Sequence, residues 1–103
     1  MTGGAGVGEG LVRVRLPGVL RELAGGQREV PVAVPDGATV ADVLDALGAG
    51  RPLLARRIRD ETGALRRHVN VYLDGEDIRR GPGLAAPVPA GAVLDVLPAI
   101  SGG

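Results

Sequence analysis

The chain has 103 residues, 12 basic against 12 acidic side chains, a formal net charge of +0, 45% hydrophobic residues, 18 Gly, 8 Pro and no Cys. That length suits one small domain able to fold without a disulfide or metal staple. The lack of cysteine excludes a disulfide framework, a thiolate zinc site, a cysteine nucleophile and any sulfur carried on a side-chain thiol. Balanced charge leaves no overall field to draw the chain onto nucleic acid or an anionic membrane. Tyr72 is the only aromatic residue, which removes base stacking. Apolar runs are too short to cross a bilayer, and Met1 is not followed by a basic-then-apolar signal. The expectation is a cytoplasmic protein with no nucleic-acid and no membrane partner.

Residues 1–10, MTGGAGVGEG, hold five glycines and no apolar period, and read as a disordered Gly-rich tail. A dinucleotide-loop reading of those glycines fails on spacing, because the third required position after Gly4 and Gly6 is Glu9. From Leu11 the pattern changes. Val12, Val14 and Leu16 alternate with Arg13 and Arg15, the period of a half-buried strand. Pro17–Gly18 breaks it, a brief turn follows through Val19, Leu20 and Leu23, and Gly25–Gly26 reverses the chain. A second alternating run has Val30, Val32 and Val34 on one face; Pro31, on the other, predicts an edge position or an irregular hairpin.

Pro35–Asp36–Gly37 predicts a turn. Thr39 and Asp42 then have capping-box spacing ahead of Val40, Val43, Leu44 and Leu47, which predicts a helix of about three turns stopped by Gly48 and Gly50. Leu53, Leu54 and Ile58 predict a second, shorter helix or helical turn over 52–60. Val69, Val71 and Leu73 alternate again. Asp74–Gly75 is a two-residue hairpin signal leading to a short partner strand, Glu76–Asp77–Ile78. Turn residues surround Leu84, and residues 92–97 form a last strand with Leu94 and Val96 inward. The order describes an α+β domain over residues 11–98, a mixed sheet of four to five strands with one main helix on one face.

The chemistry lies at the end of the sequence, Gly102–Gly103. With 18 glycines in 103 residues, chance gives a terminal pair roughly 3% of the time, so the pair carries weight only through its context. That context is the last strand directly before it. Pro98 is expected to end ladder pairing and leave residues 99–103 as a flexible reactive arm of Ala99, Ile100, Ser101, Gly102 and Gly103. Two residues without Cβ make a thin segment able to enter a narrow channel. The reactive group is the Gly103 carboxylate, inert toward nucleophiles until ATP turns it into a mixed anhydride. An adenylating partner is therefore implied, and no catalytic residue is expected in this chain. Leu97, outward if Leu94 and Val96 are inward, and Ile100 beyond it are candidate partner-binding residues.

The segments RHVNVYLDGEDIR, GLAAPV and LDVLPAISGG resemble the ubiquitin-like sulfur carriers of the MoaD/ThiS superfamily, nearest the actinobacterial cysteine-biosynthesis (CysO-like) branch. The resemblance covers roughly residues 11–103. It implies a β-grasp fold whose Gly103 carboxylate is adenylated and converted to a thiocarboxylate, making the chain a carrier rather than an enzyme. It implies no bound cofactor, with ATP and a sulfur donor used by the activating enzyme. The implied partners are that enzyme and a sulfur acceptor, either a pyridoxal-phosphate cysteine synthase followed by a metalloprotease that releases cysteine, or a thiosugar synthase. Two alternatives stay open: the small subunit of molybdopterin synthase, and a ubiquitin-like protein modifier. All twelve basic residues are arginine, so the chain offers no lysine for a copy of itself.

The remaining polar residues have ordinary explanations. His68 and Ser101, each the only one of its kind, lack the partners of a triad or a metal site, and His68 reads as the start of a strand. Asp74, Glu76 and Asp77 lack calcium-loop order and read as a charged turn. The pairs Arg56–Arg57, Arg66–Arg67 and Arg79–Arg80 read as a solvated mixed surface, with Asp60, Glu61, Glu76 and Asp77 nearby.

Overall fold

The computed structural model describes residues 9–98. Five strands, β1 (Glu9–Arg15), β2 (Glu29–Pro35), β3 (Val69–Leu73), β4 (Glu76–Asp77) and β5 (Val93–Pro98), form one sheet in the order β2-β1-β5-β3-β4. Only the central pair, β1 with β5, is parallel. Three helices are present among the described residues: a single turn α1 (Gly18–Arg21), the main helix α2 (Val40–Gly48) and α3 (Pro52–Ile58). This is the mixed five-stranded β-grasp arrangement, α+β as expected.

Strand alternation sets the core. Val12 and Val14 of β1, Val30, Val32 and Val34 of β2, Val71 of β3, and Leu94 and Val96 of β5 are buried on one face of the sheet. Against that face α2 lays Val40, Val43, Leu44 and Leu47, the i, i+3, i+4, i+7 stripe read from the sequence. α3 adds Leu54 and Ile58. Leu53, grouped with them by the pattern, is instead 66% exposed, because a seven-residue helix turns only one narrow stripe inward. No polar or charged residue is buried among those described.

Local chemistry fixes the ends. Thr39 Oγ1 accepts from the Asp42 N–H (3.2 Å) and Asp42 Oδ2 accepts from the Thr39 N–H (2.9 Å), so the capping box is formed with Asp in place of Glu. The helix it starts has nine residues, about two and a half turns. At the hairpin, Asp74 (φ 47°) and Gly75 (φ 91°) both adopt the left-handed region that a two-residue turn requires. The Asp74 carboxylate also accepts from the Val93 N–H (2.9 Å), tying the turn to the start of β5. Beyond β4, Ile78 departs from the expected strand and opens a helical turn, where Asp77 Oδ1 caps the Arg79 N–H.

Two boundaries differ from those read in the sequence. The expected tail of residues 1–10 gives up its last two: Glu9 and Gly10 extend β1, opposite Pro35 and Val34. Gly10 fits there because a Cβ would lie 2.6 Å from that of Ala90. Residues 1–8 lie outside the described residues. At the other end Pro98 does not terminate the ladder but stays in β5, opposite Val69. Its missing N–H costs the pair nothing, since the Val69 backbone groups serve other partners. The Val69 N–H donates to the Arg66 carbonyl (3.1 Å), and its carbonyl accepts from Arg79 Nη1 (2.7 Å). Arg79 also donates to Asn70 Oδ1 and to the Arg66 carbonyl, each at 2.7 Å, which clamps the approach to β3.

Two tests follow from this packing. α2 meets α3 where Gly48 faces Ala55, and a Cβ at Gly48 would lie 2.8 Å from that of Ala55. Gly48→Ala is expected to destabilise the fold by about 1–2 kcal/mol despite its better helix propensity. A denaturation double-mutant cycle with Ala55→Gly should show the two changes compensating by about 1 kcal/mol; simple additivity would mean that the helices do not meet here. In the loop after α3, Asp60 Oδ1 accepts from the Thr62 hydroxyl, the Thr62 amide and the Ala64 amide. The Thr62 hydroxyl bond, then the amide bonds, lower its pKa below the usual aspartate value. Its stabilising contribution is thus present above the unfolded value near ~3.9 and lost as pH falls through the lower folded value. A carbon-detected NMR titration should place the Asp60 midpoint below that of Asp60 in the unfolded chain, and Thr62→Ala, which removes the hydroxyl bond and keeps the amide bonds, should narrow the gap.

Candidate functional site

β5 is the middle strand of the sheet, flanked by β1 and β3. Its last described residue, Pro98, is therefore delivered from the centre of the molecule rather than from an edge. The strand alternates cleanly: Leu94 and Val96 are fully buried under the helices, while Asp95 and Leu97 face the other way. Leu97 is 43% exposed on the open face of the sheet, next to Asn70 of β3. The structure thus places this predicted partner-binding residue where the period put it. The other predicted residues, Ala99, Ile100, Ser101, Gly102 and Gly103, lie outside the described residues.

Leu97 sits between two depressions. On one side a groove of about 120 Å³ is walled by Pro17, Val19, Leu20, Leu97 and Pro98, with Arg57 and His68 at its rim. Val19, on α1, is 75% exposed. On the other side a wider hollow of about 370 Å³ runs between Leu97, Arg15, Arg21 and Asp95. The parallel register pairs Arg15 with Asp95, and their side chains meet in two bonds, Nε to Oδ1 at 2.6 Å and Nη2 to Oδ2 at 3.1 Å. The hydrogen bond to Asp95, and then its charge, raise the Arg15 pKa. The pair neutralises the only carboxylate of β5, so the surface at the end of the strand is apolar at Leu97 and cationic toward Arg57.

A hollow of about 540 Å³ beside Tyr72, Glu76, Ile78 and Arg80 lies at the Asp74–Gly75 hairpin. That end of the sheet is about 17 Å of strand away from Pro98, at ~3.4 Å per residue. It has no part in the site. Among the described residues no three His, Cys, Asp or Glu side chains come together as metal ligands. Of the arginine pairs, Arg66 and Arg79 donate to backbone carbonyls, and Arg59, outside the pairs, meets Asp45 at 2.5 Å. Sequence reasoning missed Val19, Arg57 and His68 as neighbours of Leu97. The one local signal was Val19 itself, a large apolar residue in a short turn with no periodic partner; the approach of α3 and the start of β3 is a long-range fact.

A helix-backed mixed sheet that issues its central carboxyl-terminal strand beside an exposed leucine defines a class, the ubiquitin-like small carrier and modifier domains. The chain belongs to the ThiS family, whose model matches residues 14–103. It is 36% identical over 94 residues to the sulfur carrier protein CysO of Mycobacterium tuberculosis, an alignment covering 89% of this chain and 98% of that one. It is 42% identical over 84 residues to small archaeal modifier protein 1 of Haloferax volcanii, covering 82% and 91%. A chain of the Amycolatopsis orientalis BexX/CysO complex has a TM-score of 0.78 at 37% identity, covering 89% of this chain and 99% of that one. Within the ubiquitin-like sulfur carriers, the chain is CysO-like.

The exposed and buried residues of β5 can be separated by stability. Leu97→Thr is expected to change the unfolding free energy by no more than about 0.5 kcal/mol. Leu94→Ala, three residues earlier, should cost about 2–5 kcal/mol. Equal costs in a urea titration would show Leu97 to be a core residue and remove it from the site.

Proposed function

We propose that the chain carries sulfur as a thiocarboxylate on Gly103. The observation that supports this most is the placement of β5: the core holds Leu94 and Val96, and the strand leads straight from them, past exposed Leu97, to the five residues that end in Gly102–Gly103. Activation proceeds in two balanced steps. The Gly103 carboxylate attacks the α-phosphorus of ATP, releasing pyrophosphate and forming an acyl adenylate. Sulfur at the oxidation level of sulfide then adds to the carbonyl carbon, a C–S bond forms, the C–O bond to AMP breaks, and AMP leaves. ATP, the sulfur donor and the acid–base groups belong to the activating enzyme. The carrier contributes the acyl group and the surface around Leu97, with Ile100 as a further contact, that the enzyme holds.

The client this reading favours is a cytoplasmic cysteine-forming route, because of the likeness to CysO of Mycobacterium tuberculosis. There the thiocarboxylate sulfur would replace the activating group of a serine derivative held by a pyridoxal-phosphate enzyme, giving a thioester; the acyl group would pass from sulfur to the new cysteine's amine, and a metalloprotease would hydrolyse that amide, releasing cysteine and restoring the Gly103 carboxylate. A thiosugar-forming enzyme is the alternative client, and a molybdopterin synthase large subunit a third.

Mass spectrometry of the intact chain decides the central step. With ATP, a competent activating enzyme and a sulfur source, a gain of about 16 Da is expected as one carboxylate oxygen is replaced by sulfur. Deleting Gly103, or adding one residue after it, should abolish the gain while leaving the far-ultraviolet circular dichroism unchanged. An unchanged mass with an enzyme that thiolates a related carrier would overturn the proposal.

Likeness to small archaeal modifier protein 1 favours a second reading, attachment of Gly103 to lysines of other proteins. The same adenylate would then be attacked by an amine. The last arginine is Arg80, so trypsin would leave residues 81–103 on each modified lysine. Such branched peptides, found only when Gly103 is present, would establish conjugation; self-linked chains are not expected from a lysine-free sequence.

A further inference from the structure

β2 is the long edge of the sheet: seven residues, with β1 on one side and, among the described residues, no strand on the other. An edge of that length normally exposes a row of unpaired amides and carbonyls that can template another strand. Here the row is interrupted. Leu16 N–H donates to the Arg28 carbonyl (2.9 Å), which sets the parity of the β1–β2 ladder. In an antiparallel pair, bonded and non-bonded positions alternate. Val30, Val32 and Val34 thus turn their backbone groups toward β1, and Glu29, Pro31, Ala33 and Pro35 turn theirs to the open side. Two of these four are prolines. The edge keeps only the Glu29 and Ala33 N–H donors, four residues or about 14 Å apart. The Pro35 carbonyl is already taken by the Ala38 N–H (3.1 Å).

An incoming strand would have to bury carbonyls opposite both prolines without a donor for either. The cost of a buried unpaired polar group exceeds the net gain from a made hydrogen bond, so alternate prolines turn a favourable edge into an unfavourable one. Position matters here. The same prolines at Val30 or Val34 would remove bonds from the β1–β2 ladder, whereas at 31 and 35 they leave it intact. The opposite edge, β4, is only Glu76–Asp77, short and acidic, and is closed by length and charge.

We propose that Pro31 and Pro35 close the β2 edge to strand addition, and that without them this edge pairs with β2 of a second copy of the chain. This inference is independent of the sulfur-carrier reading, since it rests on the ladder parity alone.

Replacing both prolines tests it. Threonine restores the N–H, favours extended backbone and adds little apolar surface. The Pro31→Thr/Pro35→Thr variant, checked for native fold by its amide NMR spectrum, is expected to dimerise at least tenfold more tightly than the native chain in sedimentation equilibrium. Ala33→Thr, which adds threonine to the same face but leaves the prolines, should not associate. In the associated variant the amides of Glu29 and Ala33 should gain protection from hydrogen exchange. A folded double variant no more associated than the native chain, or one whose Glu29 and Ala33 amides stay unprotected, overturns the proposal. Pro31→Thr alone, which leaves the Pro35 turn untouched, gives the same readout should the double variant not fold. In the native chain, protection of those two amides at high protein concentration would also overturn it.

Discussion

The parallel pairing of β5 with β1 is the constraint on which the carboxyl end depends. Three register pairs, Arg13 with Val93, Val14 with Leu94 and Arg15 with Asp95, bring the last described strand against the first. Antiparallel neighbours can be joined by a hairpin, but parallel ones require the chain to cross over. Here the crossing is long and includes α2 and α3, which cover the sheet on the way. The core and the central position of β5 are thus one event: burying Leu94 and Val96 under α2 places the strand between β1 and β3.

Alternation then divides β5 between two tasks. A slip of one residue would turn Leu97 inward and expose Val96, because the side-chain period of a strand is two. Several contacts hold the register against that slip. The Asp74 carboxylate receives the Val93 N–H at one end, the Arg15–Asp95 pair spans the middle, and Arg79 fixes Val69, the residue opposite Pro98, at the other. Only the middle contact is an ion pair, and exposed pairs contribute little energy. Its value is positional, since it also removes a negative charge from beside Leu97.

Most of the fold was legible in the sequence because the chain is built from short segments whose period matches their burial. The valines at 12, 14, 30, 32 and 34 and the α2 stripe each carried a local signal that tertiary packing only confirmed. Failures came where one residue type has two physical roles. Gly10 looked like tail because glycine is common in tails, yet it is required by the approach of Ala90. Pro98 looked like a terminator because proline cannot donate, yet the ladder asks for no donor at that position. Leu53 fell on a helical period too short to show which face was buried. Of the candidate site, Leu97 followed from parity; its neighbours Val19, Arg57 and His68 come from three separate segments, and no spacing rule joins them.

Proline shows most clearly how position decides meaning in this sheet. Pro31 and Pro98 both lie in strands and both occupy positions where the facing ladder needs no N–H. At Pro31 the missing donor faces open solvent, so its effect falls on whatever might approach that edge. At Pro98 the strand is central, and the residue is the last one described, opposite Val69. In both places the residue is compatible with the native pairing, and at β2 it is incompatible with extending that pairing sideways. A sheet whose long edge is limited in this way leaves its open face, with Leu97 near the end of the central strand, as the surface on which a partner can gain contact without competing against the fold.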